Sequence, residues 1–384
     1  MNNIHMLFEK NRCDGYENSI KKKLKFDNSL KMFIYILSAK NGIFCGDHVI
    51  EIIRVINYTN KVNGLKNVPI VFRCRDLEFY DKLVYVMVEC IAYYLLIEKK
   101  QNCYFDLHTN STIWSEGIFY SPLNVQGNPN EYKKLFYNDI KRRHFRKVVN
   151  AASNIDGPGL SALYQEITWF LRNNGVSESN SDTLAEVLTE LVANSIEHAY
   201  ADTLIDIDLT DTTYTRANDD NTYYGMNTAI ISFSPTLFYE PLKIKMDSSN
   251  EYEGKYTLVK QAYDYHKQHF SEIYDENDFY TISSFQDKIS GSLKKKMGGR
   301  GLTTLLKSLE EQAETHLCYM YTDNRITFLS KELLAMGENQ LIGFNKEANY
   351  MSKIPDEDAF GKINTVLPGT AYNLSFVIKK EWSL

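Results

Sequence analysis

Glu190, Asn194 and His198 stand four residues apart in LAEVLTELVANSIEHAYAD, which reads as a helix with an apolar stripe of Leu184, Val187, Leu188, Leu191, Val192 and Ile196. At 3.6 residues per turn this spacing drifts only about 40° per step, so the three lie along one helix edge. The Asn194 oxygen can bind a hard cation such as Mg²⁺, and Glu190 can orient or deprotonate a water or a hydroxyl. Further along comes Gly298-Gly299-Arg300-Gly301, then Leu302 and an apolar helix. Glycines before a helix let backbone N–H groups approach a phosphate, and the helix start adds partial positive charge. Lys294, Lys295 and Lys296 stand just upstream as cations for the same phosphates, but the spacing is not that of a P-loop. Near the end, Pro368-Gly369-Thr370 opens the strand AYNLSFVI, where a Thr hydroxyl can bond a buried base or a water. Taken singly, each pattern is also what an amphipathic helix, a Gly turn, a solubilising lysine run or a β-turn leaves in a sequence.

The elements that must position these residues fall into two halves. KMFIYILS (31–38), VPIVFRC (68–74) and CYFDLH (103–108) read as strands, with helices over 47–56 and 77–97 between them. This β-α-β-α-β order predicts a small α/β domain over 1–115, regulatory or partner-binding. Residues 116–158 read as a connector carrying a basic helix, with Lys133, Lys134, Lys141, Arg142, Arg143, Arg146 and Lys147. From 159 a second unit begins. It has helices over 160–173 and from a Ser181 or Asp182 cap to about 200, then strands over 204–209 and 228–233. A long polar insertion at 236–297 reads as an irregular lid, followed by a helix over 302–312 and strands over 317–321, 326–329 and 371–379. The fold class is α/β (α+β).

Composition narrows the function classes. The chain has 384 residues, 43% hydrophobic and 24% charged, with formal net charge −6, which is ordinary globular composition and gives no global attraction to nucleic acid or anionic membrane. The most apolar run, Leu83–Ile97, carries Glu89 and is shorter than the roughly 20 residues a membrane span needs. The polar, Lys-rich start shows no signal peptide, so a cytoplasmic setting is expected. The six cysteines have no metal-ligand spacing and read as core thiols.

Order and spacing together carry a resemblance. TELVANSIEHAY resembles the N box of the GHKL (Bergerat-fold) ATPase superfamily, in the style of its serine and histidine kinases. GGRGLTTLLKSLEE resembles that superfamily's second glycine box, and LPGTAYNLSF its terminal Gly-Thr strand. The resemblance covers about 159–384 and implies a sandwich of a mixed sheet with helices on one face. It implies ATP and Mg²⁺ as cofactors, Glu190 as general base and Asn194 as the Mg²⁺ ligand. Gly299 and Gly301 would contact phosphates, within a box of Lys296, Gly298, Arg300 and Leu302. His198 trails the N box, and Thr370 would lie near the adenine. One departure stands out. The family places Asp-x-Gly-x-Gly after the strand that follows the N box, and that Asp accepts the adenine amino group. Here the strand runs into Ser234-Pro235-Thr236-Leu237, so Ser234 would have to serve through a water. An acceptor missing from a buried donor costs about 1–3 kcal/mol, roughly ten- to hundredfold in affinity.

The resemblance thus implies an ATP-binding protein that hydrolyses ATP or phosphorylates a protein, with a protein partner or substrate and a homodimer left open. The alternatives are a catalytically degenerate switch, and a nucleic-acid-directed ATPase working through the basic stretch. His144 is a poor phosphoacceptor, because no acidic residue follows it.

Overall fold

The computed structural model describes residues 1–380 apart from 63, 66–67, 75–76, 108–114, 155–158, 211–212, 216–220, 250, 287–288 and 290–317. Its N-terminal half opens with helices α1 (His5–Lys10) and α2 (Glu17–Lys23), then strands β1 (Lys25–Asp27), β2 (Met32–Ile36) and β3 (Ile43–Phe44). Helix α3 (Gly46–Lys61) leads to β4 (Ile70–Arg73) and β5 (Glu78–Phe79), and α4 (Lys82–Tyr93) leads to β6 (Cys103–Asp106). The strands β2, β4 and β6 pair in parallel in the order β1-β2-β4-β6, with β1 antiparallel at the edge. The predicted β-α-β-α-β order is present. Asp81 starts α4 by accepting the Val84 N–H at 2.9 Å, and α4 is buried on all sides, its residues apolar nearly all round apart from Lys82 and Glu89.

The predicted connector is part of the second half. Helix α5 (Glu116–Phe119) is followed by α6 (Pro129–Tyr137), and the chain then turns into a hairpin of β7 (Asn138–Ile140) and β8 (His144–Val149). The basic stretch is therefore helix only as far as Tyr137, because the alternating HFRKVV that follows suits a pleated surface. Next come α7 (Ala151–Asn154), α8 (Gly159–Asn173) and α9 (Glu178–Ala199). Ser177, not Ser181 or Asp182, caps α9 by accepting the Asn180 N–H at 3.2 Å. Strands β9 (Thr203–Leu209), β10 (Tyr214–Thr215) and β11 (Thr222–Phe233) follow. The expected irregular lid contains helices α10 (Glu240–Ser248), α11 (Lys255–His266) and α12 (Glu276–Ser284), and Leu242, Met246, Val259, Ala262, Phe279 and Ile282 bury them against the core. The two short strands expected at 317–329 are one strand, β12 (Tyr319–Phe328). The last strand, β13, runs from Phe360 to Lys379, so Pro368-Gly369-Thr370 sits inside it rather than at its start.

These strands form a seven-stranded sheet in the order β12-β13-β11-β9-β8-β7, with β10 paired to β11. Its pairings are antiparallel throughout, so among the described strands it is not the mixed sheet that was expected. Both faces are covered. Ile205, Ile207, Ile230, Tyr372 and Leu374 pack against α8, α9 and α10–α12. Val148, Leu204, Ala229, Ile231, Phe233, Tyr319 and Ala371 on the other face pack into one core with α1, α3 and α4. Among the described residues no helix is long and apolar enough to cross a membrane.

Candidate functional site

Three predicted site residues sit on α9. Glu190, Asn194 and His198 are each half-buried along its length. Burial pushes the His198 imidazole below its ordinary range, against the pull of Glu197. Ser195, beside Asn194, faces the sheet, where its Oγ lies 3.2 Å from Ser232 Oγ. The β11–β13 register sets Ser232 opposite Thr370 and Phe233 opposite Gly369. Ser232 Oγ is also 3.2 Å from the Thr370 carbonyl oxygen, and the Thr322 hydroxyl donates to the Gly369 carbonyl at 2.6 Å. The Ser234 N–H donates to the Pro368 carbonyl at 3.0 Å. The C-terminal half of α9, the end of β11 and Pro368-Gly369-Thr370 thus meet at one end of the sheet. Lys296, Gly298, Gly299, Arg300, Gly301 and Leu302 lie outside the described residues.

Gly369 is required where it stands. Its φ is +120°, and a Cβ there would lie 2.2 Å from the Ser232 carbonyl oxygen. Ser234 is less available than the sequence suggests. Its hydroxyl donates to the Ala199 carbonyl at 3.0 Å, closing the end of α9, and accepts the Thr236 N–H at 3.0 Å. The residues fit the expected Mg²⁺–ATP at one end only. Glu190 and Asn194 share a helix edge, as a cation ligand and a base would need, while Ser234, which the resemblance would set at the adenine end, spends its donor on the Ala199 carbonyl.

A second constellation was not anticipated. Asp206 and Asp208 alternate along β9, so both point to the face covered by α4. Fully buried Arg146 of β8 pairs through Nε with Asp206 and through Nη2 with Glu89 of α4. Lys82 reaches Asp206 at 2.5 Å and also pairs with Asp208. His144 lies 3.2 Å from both Asp206 and Asp139, and Lys141 lies 3.1 Å from Asp139. Ser121 donates to Glu89 at 2.6 Å, and Ser115 and the Gly117 N–H donate to Asp208, each at 2.9 Å. Glu89, Asp139, Asp206 and Asp208 are thus faced by Lys82, Lys141, Arg146 and the His144 imidazole.

The electrostatics follow from how many cations each carboxylate meets. Burial drives Asp206 upward, but Arg146, Lys82 and His144 together hold it well below the usual carboxylate range. Glu89, with Arg146 as its close cation, stays raised by burial. Burial opposes charge on His144, yet Asp206, Asp208 and the hydrogen bonds to Asp139 and Asp206 raise it to about 9. Its ring nitrogens are both occupied, so it is not an exposed phosphoacceptor. The network opens at one end on a recess of about 60 Å³ lined by Asp81, Lys82, Ser115, Asp208, Asn227 and Ser375. That recess shares Tyr85 and Ile118 with a cavity of about 400 Å³. A sequence signal for the network existed in Glu89, an acid inside an apolar helix, and in the Asp-x-Asp of a buried strand.

No family model, no curated protein and no solved structure matches the chain. Among the described residues one group of side chains, Cys13, Asp14 and Glu17, is close enough to share a metal ion. The Lys61 ammonium already pairs with Asp14 at 3.0 Å and with Glu17 at 3.3 Å. The basic stretch is also largely engaged: Arg146 and Lys141 belong to the network, Arg143 Nη1 donates to the Thr210 carbonyl, and Lys147 pairs with Glu166 at 2.5 Å. Lys133, Lys134 and Arg142 of the same stretch are exposed.

Proposed function

We propose that the chain is a cytoplasmic ATP-binding switch of the GHKL type, with hydrolysis or phosphoryl transfer to a protein partner as its output. What supports the reading is the meeting of the α9 end, the β11 end and Pro368-Gly369-Thr370 at one edge of the large sheet, in the chain order that the resemblance implies. Bound Mg²⁺–ATP would supply the transferable phosphoryl group. Asn194 would hold the cation, and Glu190 would orient or deprotonate the attacking water or hydroxyl. Thr370 would stand at the base end. The engaged hydroxyl of Ser234 favours a second reading, a switch module that keeps the architecture and binds nucleotide weakly or not at all.

Calorimetric titration of the full chain with a non-hydrolysable ATP analogue, with and without Mg²⁺ and with GTP as competitor, separates the two. Mg²⁺-dependent binding that prefers adenine is the expected result. Glu190→Ala then keeps binding and loses turnover, and Asn194→Ala loses the Mg²⁺-dependent part. No binding of any nucleotide up to millimolar overturns the first reading in favour of the second.

A further inference from the structure

The β11–β13 ladder stops at Phe233 opposite Gly369. Beyond it Pro368 has no N–H to give, and the pairing of β12 with β13 shifts register between Thr322 and Arg325. The backbone leading into Pro368-Gly369-Thr370 therefore has no continuous ladder, only the Ser234 N–H to the Pro368 carbonyl at 3.0 Å on one side and Leu367 opposite Asp323 on the other. Residues from the N-terminal half take its place. Asn11, 3% exposed, accepts the Val366 N–H through Oδ1 at 2.8 Å and donates from Nδ2 to the Val366 carbonyl at 2.7 Å. The second Nδ2 hydrogen goes to the Leu7 carbonyl of α1 at 2.7 Å. Asn11 thus occupies both backbone groups of Val366, as a neighbouring strand would. On the other side, Asn3 Nδ2 donates to the Phe233 carbonyl at 3.1 Å, one residue before Ser234. Asn57 of α3 anchors this segment by donating to the carbonyls of Phe8 and Asn11 at 2.8 and 2.9 Å.

We infer that Asn11 is a positioning residue for the base end of the candidate nucleotide site, with Asn3 as its lesser partner, so that the N-terminal half supplies part of that site. The inference rests on the nucleotide-binding reading above. Asn11 touches no nucleotide itself. It fixes the peptide two residues before Pro368, and through it the place of Gly369 and Thr370 against Ser232 and Ser234. Base recognition depends on that placement more than phosphate binding does, because the phosphate-end residues sit on α9.

The test measures Kd values of the full chain for non-hydrolysable ATP and GTP analogues with Mg²⁺. Wild type is compared with Asn11→Ala, Asn3→Ala and Ile53→Ala, the last a buried α3 change that leaves Val366 untouched. Losing a two-point backbone clamp should weaken ATP-analogue binding about tenfold in Asn11→Ala and narrow the adenine-over-guanine preference. Asn3→Ala should move both quantities the same way by less, and carries the test if Asn11→Ala fails to fold. Faster hydrogen exchange at the Val366 amide should accompany the Asn11 change. Wild-type binding with unchanged Kd and preference in both asparagine variants overturns this inference alone. Equal narrowing of the preference in Ile53→Ala overturns it too, since lost stability would then account for the effect. Absence of nucleotide binding by wild type removes the nucleotide reading and this inference with it.

Discussion

Glu89 and Arg146 show how a side chain that looks out of place locally is satisfied at a distance. Each is fully buried, and each would be costly alone. Glu89 has Arg146 and Ser121, while Arg146 also serves Asp206. Removing one partner leaves an uncompensated buried charge, so Glu89→Ala should cost about 3–5 kcal/mol in urea unfolding. The double change Glu89→Leu with Arg146→Met should cost clearly less than the sum of the single changes, because it removes both charges while Asp206 keeps Lys82 and His144. Additive losses in that cycle would mean the pair is not coupled. At the candidate site the same scale exposes a mismatch. Ser234, which the resemblance would set in the place of a base-reading carboxylate, donates to the Ala199 carbonyl instead.

Among the elements, β13 does the most joining. It pairs with β11 on one side and β12 on the other, and it changes character at Gly369. The positive φ there, with the Ser232 carbonyl at Cβ distance, makes the kink a glycine-only position. Gly369→Ala should therefore destabilise the chain by at least about 2 kcal/mol, read as a lower urea midpoint with little change in m-value. A variant as stable as wild type would show that the kink tolerates a side chain. Helices α8 and α9 were legible in the sequence because their apolar stripes have helical period, although the start of α9 was placed a turn late, at Ser181 or Asp182 instead of Ser177. The helices at 240–284 were not, because their polar and aromatic residues give weak stripes and burial against the core holds them. Two strands were expected where β12 is one, and the middle of β12 is indeed irregular: Asp323 has φ +54° and the pairing with β13 shifts register on both sides of it.

Across the whole molecule, the large sheet is shared. One face carries α8–α12 and the other carries the N-terminal half, with the charge network across one end of that interface. The pH dependence should report on this interface. His144 is raised in the folded state to about 9 from its ordinary 6.5, so its contribution is fully present below about pH 6.5 and is lost as pH rises through 9. The stability gap between wild type and His144→Gln should accordingly be widest at pH 6 and shrink toward pH 10. A gap independent of pH would mean that His144 is neutral in the fold.

The sequence by itself determined the α+β class, the β-α-β-α-β order of the N-terminal half, and the placing of Glu190, Asn194 and His198 on one helix edge. These follow from periodicity, caps and turn residues within a few positions of one another, where the information is local. The ATP-binding reading drawn from the spacing of its motifs remains a proposal. Only the tertiary structure decided that the large sheet is antiparallel, that both its faces are covered, and that Asn11 grips Val366. It alone brought Lys82 and Glu89 to Arg146, Asp206 and Asp208. A buried charge or amide carries no mark of its partner, because the partner lies far along the chain and is chosen by which surfaces pack together.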